Sequence, residues 1–232
     1  MNEVLPSYRA VQATAKQVLS RIGDAIHPDA TEASVAAISA GWLAELGISE
    51  TWYYKCPALV LAGSRSCLSI SGRDYSPAHE PFGTANLITV DLSPCFGKIW
   101  GDCARSFAIE EGGFVVQPSR PEFRRGFEAQ HLLHAEMVQF VSNKTTFGDL
   151  FEFANDLIAS LGFVNLDFRG NLGHSIATSL DDRCYIDANN RRKLNSVPYF
   201  TFEPHIREAN GKWGFKHENI YYLDDNGKPK EL

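Results

Sequence analysis

The chain has 232 residues and carries 22 Lys and Arg against 28 Asp and Glu, a formal charge of -6 with the histidines neutral. No basic cluster offsets that balance, which argues against nucleic acid or an anionic membrane surface as the main partner. With 44% hydrophobic and 22% charged residues it has ordinary globular make-up, enough for one large domain or two small ones, and no stretch has the apolar length that spans a bilayer. The opening Met1-Asn-Glu-Val lacks a basic region followed by an apolar one, so a cytoplasmic protein is expected. Five cysteines (Cys56, Cys67, Cys95, Cys103, Cys184), odd in number and without a C-x-x-C, predict buried free thiols rather than disulfides or structural zinc.

Over residues 7–26 the apolar positions Val11, Ala15, Val18, Leu19, Ile22 and Ile26 recur at helical spacing. Asp29-Ala-Thr-Glu32 reads as a capping box opening a second helix, which runs through Val35, Ile38, Trp42 and Leu46 and stops at Gly47. The apolar runs at 58–62 and 67–70, separated by Gly63-Ser-Arg65, predict a β-hairpin. Residues 72–81 form a Gly- and Pro-rich loop carrying Arg73, Asp74, Tyr75 and His79. Leu87-Ile-Thr-Val90 then predicts a buried strand that delivers Asp91. Gly97 marks a turn, and Lys98-Ile-Trp-Gly101 returns to deliver Asp102.

Ser119-Arg-Pro-Glu122 predicts a helix start with a capping box and proline at its first position, the helix running to about Val141. Inside it, Glu128-x-x-His131 has the di-iron spacing but no second such pair elsewhere, so His131 and His134 read as helix-face residues. Thr146-Phe-Gly-Asp149 caps a further helix that closes at Gly162. The last third predicts strands at 170–176, 198–204 and 215–223. Helix, helix, strands, repeated once, suggests two similar α+β halves sharing one antiparallel sheet.

Taken alone, Asp91 and Asp102 are compatible with strand-end turn residues. Two carboxylates brought to one end of a hairpin, however, cannot both stay ionised without a cation or a shared proton. His174 among small residues, Glu203 at the end of an apolar strand and Glu218 inside another are equally out of place in a core, since stripping water from a carboxylate costs several kcal/mol. Four carboxylates and an imidazole suit two divalent ions such as Mn(II), Fe(II), Co(II) or Zn(II).

In order, Asp91-x10-Asp102, Gly173-His174-Ser175, Phe202-Glu203-Pro204 and His217-Glu218-Asn219 resemble the ligand motifs of the pita-bread metallopeptidases, the methionine aminopeptidase, proline dipeptidase and creatinase group. The resemblance runs over residues 58–223. It implies one catalytic pita-bread domain over residues 1–232, helical over 1–50, with a dinuclear metal site built from 91–218. Asp91 would chelate one ion, His174 and Glu203 the other, and Asp102 and Glu218 would bridge both. The implied chemistry is hydrolysis of an N-terminal amide by a metal-bridging hydroxide, with Glu203 shuttling the proton. The chain departs from the group in two places. No histidine stands in Arg73-Asp-Tyr-Ser-Pro77, and Asp181 occupies the position seven residues after His174 where the group has a second one.

His79 and His205 are candidate catalytic replacements. Arg73, Tyr75 and Asp181 are candidate substrate contacts, Arg73 for a carboxylate and Tyr75 for an oxyanion. The leading reading is an aminopeptidase or dipeptidase acting on a small peptide. A metalloenzyme for a small amino-acid-like or carboxylate substrate and a non-catalytic peptide- or protein-binding module stay open, as does a homodimer.

Overall fold

The structure, a computed structural model, describes residues 4–232 apart from the side chain of Arg169. Helices α1 (Leu5–Ser20) and α2 (Glu32–Glu45) come first, joined by a 3₁₀ turn at Ile22–Asp24, so the first expected helix ends earlier than Ile26. α2 is capped by Thr31 with Ser34 in a reciprocal box, two residues later than the Asp29 box expected. Strands β1 (Glu50–Thr51), β2 (Ala58–Ala62), β3 (Asn86–Leu92), β4 (Pro94–Phe96), β5 (Ile99–Trp100), β6 (Cys103–Glu110) and β7 (Gly113–Val115) follow. Helices α3 (Pro121–Phe140) and α4 (Phe147–Ser160) then precede β8 (Phe163–Asn165), β9 (Phe200–Phe202), β10 (His205–Glu208), β11 (Gly214–Lys216), β12 (Asn219–Leu223) and β13 (Pro229–Glu231).

All ladders are antiparallel, in the orders β2-β3-β6-β7, β11-β10-β8, β13-β12-β9 and β1-β4-β5. The expected hairpin at 58–70 does not form. β2 pairs with β3 instead, and residues 63–67 coil into a 3₁₀ turn. Residues 170–176 make only isolated bridges, His174 to Tyr185 and Ser175 to Phe200, and the strand expected at 215–223 is broken at His217-Glu218. α3 takes Arg120 as its N-cap, with no side-chain cap bond, and Ser119, one residue outside, instead donates from Oγ to Glu110 Oε2 (2.7 Å). α4 has the Thr146–Asp149 box that its sequence predicts.

Each half has its own core. Val18, Ile22 and Val35 from the first helices pack on Val60, Ile88 and Val90, whereas Phe123, Leu133, Phe147 and Leu150 of α3 and α4 pack with Phe200, Phe202, Ile206 and Phe215. Two helix-backed α+β halves, as the sequence order suggests, meet along a seam. There Glu218 bridges to Ala104 of β6, its N–H donating to Ala104 O at 2.9 Å. The five cysteines are free thiols, Cys56, Cys95 and Cys103 buried and the other two half-buried. Among the described residues no helix is long and apolar enough to cross a membrane.

Candidate metal centre

The seam brings the five expected donors together. Asp91 sits in β3 opposite Ala104, and Asp102 immediately precedes β6. Both backbone groups of Asp102 are held by one fully buried side chain of α1: Gln12 Nε2 donates to its carbonyl (2.7 Å) and its N–H donates to Gln12 Oε1 (2.9 Å). Across the seam, Arg105 of β6 donates from Nη1 to the Glu218 carbonyl (2.6 Å) and from Nη2 to Asn219 Oδ1 (2.7 Å), fixing the break where Glu218 turns inward. His174 and Glu203 lie on neighbouring segments, Thr201 N–H donating to His174 O (2.7 Å) and Glu203 N–H to Leu172 O (2.9 Å). This close approach requires glycine at 173, where φ is +136° and a Cβ would stand 2.4 Å from Thr201 O.

Carboxylate oxygens of Asp91, Asp102 and Glu218 lie within 4.8 Å of one another. His174 Nε2 is 3.5 Å from Asp102 Oδ2 and 3.8 Å from Glu203 Oε1. Since His174 Nδ1–H donates to Ser175 O (3.0 Å) and burial pushes the ring down to about 4, Nε2 turns a lone pair toward two carboxylates. Asp102 Oδ2 and both Glu218 side-chain oxygens are buried and make no hydrogen bond. Acceptors facing acceptors in a buried site need a cation or protons between them, and burial followed by the neighbouring carboxylates pushes both carboxyls well above their ordinary values. The donor set therefore fits divalent cations.

One cation is already part of this set, a lysine not among the residues singled out from the sequence. Lys216 Nζ stands 2.6 Å from Asp91 Oδ2, 2.9 Å from Glu203 Oε2 and 3.5 Å from Glu218 Oε2. Burial works against its charge, but Asp91, Glu218 and Glu203 overcome this and hold the ammonium well above its ordinary range. Burial likewise opposes ionisation of Glu203, yet Lys216 and then His174 hold that carboxyl down at about 2. The signal was present in the spacing, because residues two apart in an extended segment share a face and Lys216 precedes Glu218 by two.

The donors open into a cavity of about 670 Å³. Trp52 stacks on Trp100 (4.6 Å between ring centroids, 9° between planes) and meets His174 edge-on at 5.6 Å. Arg183, also unexpected, lines the cavity with its guanidinium against Trp52 (5.5 Å) and Tyr185 (5.3 Å), and Arg73 lies over Tyr54 at 4.7 Å. Asp167, another lining residue, has its carboxyl raised to about 7 by burial and then by Glu203.

Of the remaining expected site residues, Arg73 and His205 line the cavity. His205 is buried, donates from Nε2 to Ser66 O (2.6 Å) and is pushed down by burial to about 4, so it is neutral. Three expectations need correction. His79 is exposed and outside the cavity lining. Tyr75 is also outside it, its hydroxyl tied to both the N–H and the carbonyl of Val60 at 3.0 Å, which makes it a strut for β2 rather than an oxyanion donor. Asp181 is exposed in the 3₁₀ turn Leu180–Asp182.

The sequence profile of metallopeptidase family M24 matches residues 6–225. No curated protein matches the chain by sequence. Among solved structures, the X-Pro aminopeptidase from Thermotoga maritima superposes with a TM-score of 0.80 at 18% identity, covering 98% of this chain and 60% of that one. The prolidase from Pyrococcus furiosus gives 0.80 at 18%, covering 100% and 64%. The methionine aminopeptidase from Rickettsia prowazekii gives 0.75 at 13%, covering 100% and 97%. The chain thus spans about 60% of the aminopeptidase and prolidase neighbours and nearly all of the methionine aminopeptidase, and at these identities the likeness establishes the pita-bread fold. With the profile running over almost its whole length, the chain belongs to metallopeptidase family M24.

Proposed function

We propose that the protein is a metal-dependent hydrolase that cleaves an amide next to a free terminus of a short peptide, using two divalent ions held by Asp91, Asp102, His174, Glu203 and Glu218 in one catalytic domain. The observation that carries this reading is the set of buried oxygens on Asp102 and Glu218 that make no hydrogen bond, with the neutral Nε2 of His174 turned toward Asp102 Oδ2 at 3.5 Å. Bound ions would supply a Lewis acid for the scissile carbonyl and acidify the attacking water. The chain's own residues do the rest. Gln12, Arg105 and Thr201 fix the backbone of the donors, so little reorganisation is needed on binding.

Glu203 is the group placed to take the water's proton and pass it to the leaving nitrogen. A carboxyl held at about 2 is a weak base, so this role requires Lys216 to withdraw from it. Arg183 and Arg73 offer guanidinium groups to a substrate carboxylate at the aromatic side of the cavity. A volume of about 670 Å³ suits a di- or tripeptide.

The same arginines, together with a cavity lining whose imidazoles are His174 and His205, favour as second reading a small carboxylate substrate that is not a peptide. The test assays Mn(II)-loaded protein against N-terminal methionine peptides and Xaa-Pro dipeptides. Cleavage that chelator abolishes and that Glu203→Gln lowers by about 10²-fold or more supports the peptidase. Silence toward every peptide with metal demonstrably bound transfers the assignment to the second reading. A chain that takes up no metal sinks both.

A further inference from the structure

Lys216 lies inside the ligand set instead of beside it. Its backbone leaves no latitude: β11 pairs it with His205, its N–H donates to Ser106 Oγ at 2.8 Å, and Ser106 Oγ in turn donates to its carbonyl at 3.2 Å. Only the flexible four-carbon stem can move the ammonium. At its end, Nζ is within hydrogen-bond distance of the carboxylates of Asp91 (2.6 Å) and Glu203 (2.9 Å), which in the reading above are the outer ligands of different ions, and stands farther from Glu218 Oε2, at 3.5 Å. The inner pair keeps oxygens that make no hydrogen bond, Oδ2 of Asp102 and both of Glu218, with His174 Nε2 3.5 Å from Asp102 Oδ2. Four carboxylates against one ammonium still leave three formal negative charges, so the lysine does not complete the site by itself.

We propose that Lys216 is a tethered counter-cation that competes with divalent metal. A first ion binds through Asp102, Glu218 and His174, whose donor atoms are available. A second ion binds only when the ammonium leaves Asp91 and Glu203. The two metal positions are therefore unequal in the wild type, and the inequality is set by a side chain that ligates neither ion. This rests on the metal-site reading but not on peptidase activity.

Metal-stripped wild type and Lys216→Met are titrated with Mn(II) alone, by calorimetry and by equilibrium dialysis with elemental counting. The wild type is expected to take one ion tightly and a second about 100-fold more weakly, a gap within the usual range of site-to-site coupling. In Lys216→Met the gap should close to about 10-fold or less through tightening of the second position. Lys216→Gln, uncharged and polar, should behave like the Met variant, and Lys216→Arg should retain the gap. Stripped Lys216→Met should also melt below stripped wild type and regain more on Mn(II) addition. If the stripped variant is unfolded, refolding followed against added Mn(II) should saturate at two ions per chain. Two equivalent ions in the wild type, or an unchanged gap in Lys216→Met and Lys216→Gln, overturns the proposal. No uptake by any form removes the metal site itself and the inference with it, whereas the expected uptake without peptide cleavage upholds the inference and removes only the peptidase reading.

Discussion

Gly173 and Gln12 decide where two of the donors stand, though neither can bind metal strongly. A methyl group at 173 would meet the Thr201 carbonyl at 2.4 Å on a backbone with φ of +136°, so Gly173→Ala should cost about 1–3 kcal/mol and displace His174. Thermal melts should show the loss, and Mn(II) titration should show weakened binding beyond what the melt accounts for. Gln12→Ala leaves a buried N–H and carbonyl of Asp102 unbonded, for which about 1–3 kcal/mol is expected. Glu203 and Glu218 stood out because charge in an apolar strand is costly, whereas the set of five was carried by the family motifs around Asp91, Asp102, His174, Glu203 and Glu218. Gln12 and Lys216 did not stand out. A glutamine on an amphipathic helix reads as surface, and its partner lies 90 residues away. A lysine in a short strand reads as a solvated end, and only its period-two relation to Glu218 hinted otherwise.

At the N-terminus of α2, Glu32 explains why the expected hairpin at 58–70 fails. It is 1% exposed and accepts from Ala62 N–H (2.8 Å), Ala78 N–H (2.9 Å) and Arg65 Nε (3.0 Å), which draws residues 62–78 over the helix start and leaves β2 to pair with β3. Turn and apolar-run signals alone could not reveal this, since the competing acceptor comes from another element. Glu32→Ala should destabilise by about 3 kcal/mol, because Arg65 and two backbone donors lose their partner together; urea unfolding measures it. α3 is tied differently. Its buried His134 hydrogen-bonds Tyr221 Oη (2.8 Å) and the His217 carbonyl (3.0 Å), and burial pushes the imidazole down to about 3. Above the ordinary value near 6.5 both folded and unfolded forms are neutral. Below it the unfolded chain takes up a proton that the folded one refuses, so stability falls as pH drops from about 6.5 toward 3. His134→Gln should flatten part of that acid slope in urea midpoints measured between pH 7 and 4.5, with His174, His205 and His217, all lowered by burial, contributing in the same direction.

On the scale of the whole molecule, the repeated helix-helix-strand order was readable, but the ladder partners and the seam were not, because strands of two to five residues carry too little pattern to specify their neighbours. The seam is where the proposed ligation and folding meet. Asp91 and Asp102 come from one half and His174, Glu203 and Glu218 from the other, so in the proposed site ions shared through Asp102 and Glu218 would brace the halves against each other. Metal at 100 times its Kd should therefore add about 2.7 kcal/mol, and chelator should lower the melting temperature of the whole chain in a single transition. The Trp52–Trp100 stack, edge-on to His174, lies against this junction. It amounts to a native optical antenna: a paramagnetic ion such as Co(II) arriving at the imidazole should dim indole emission, so loading can be followed as light from unlabelled protein.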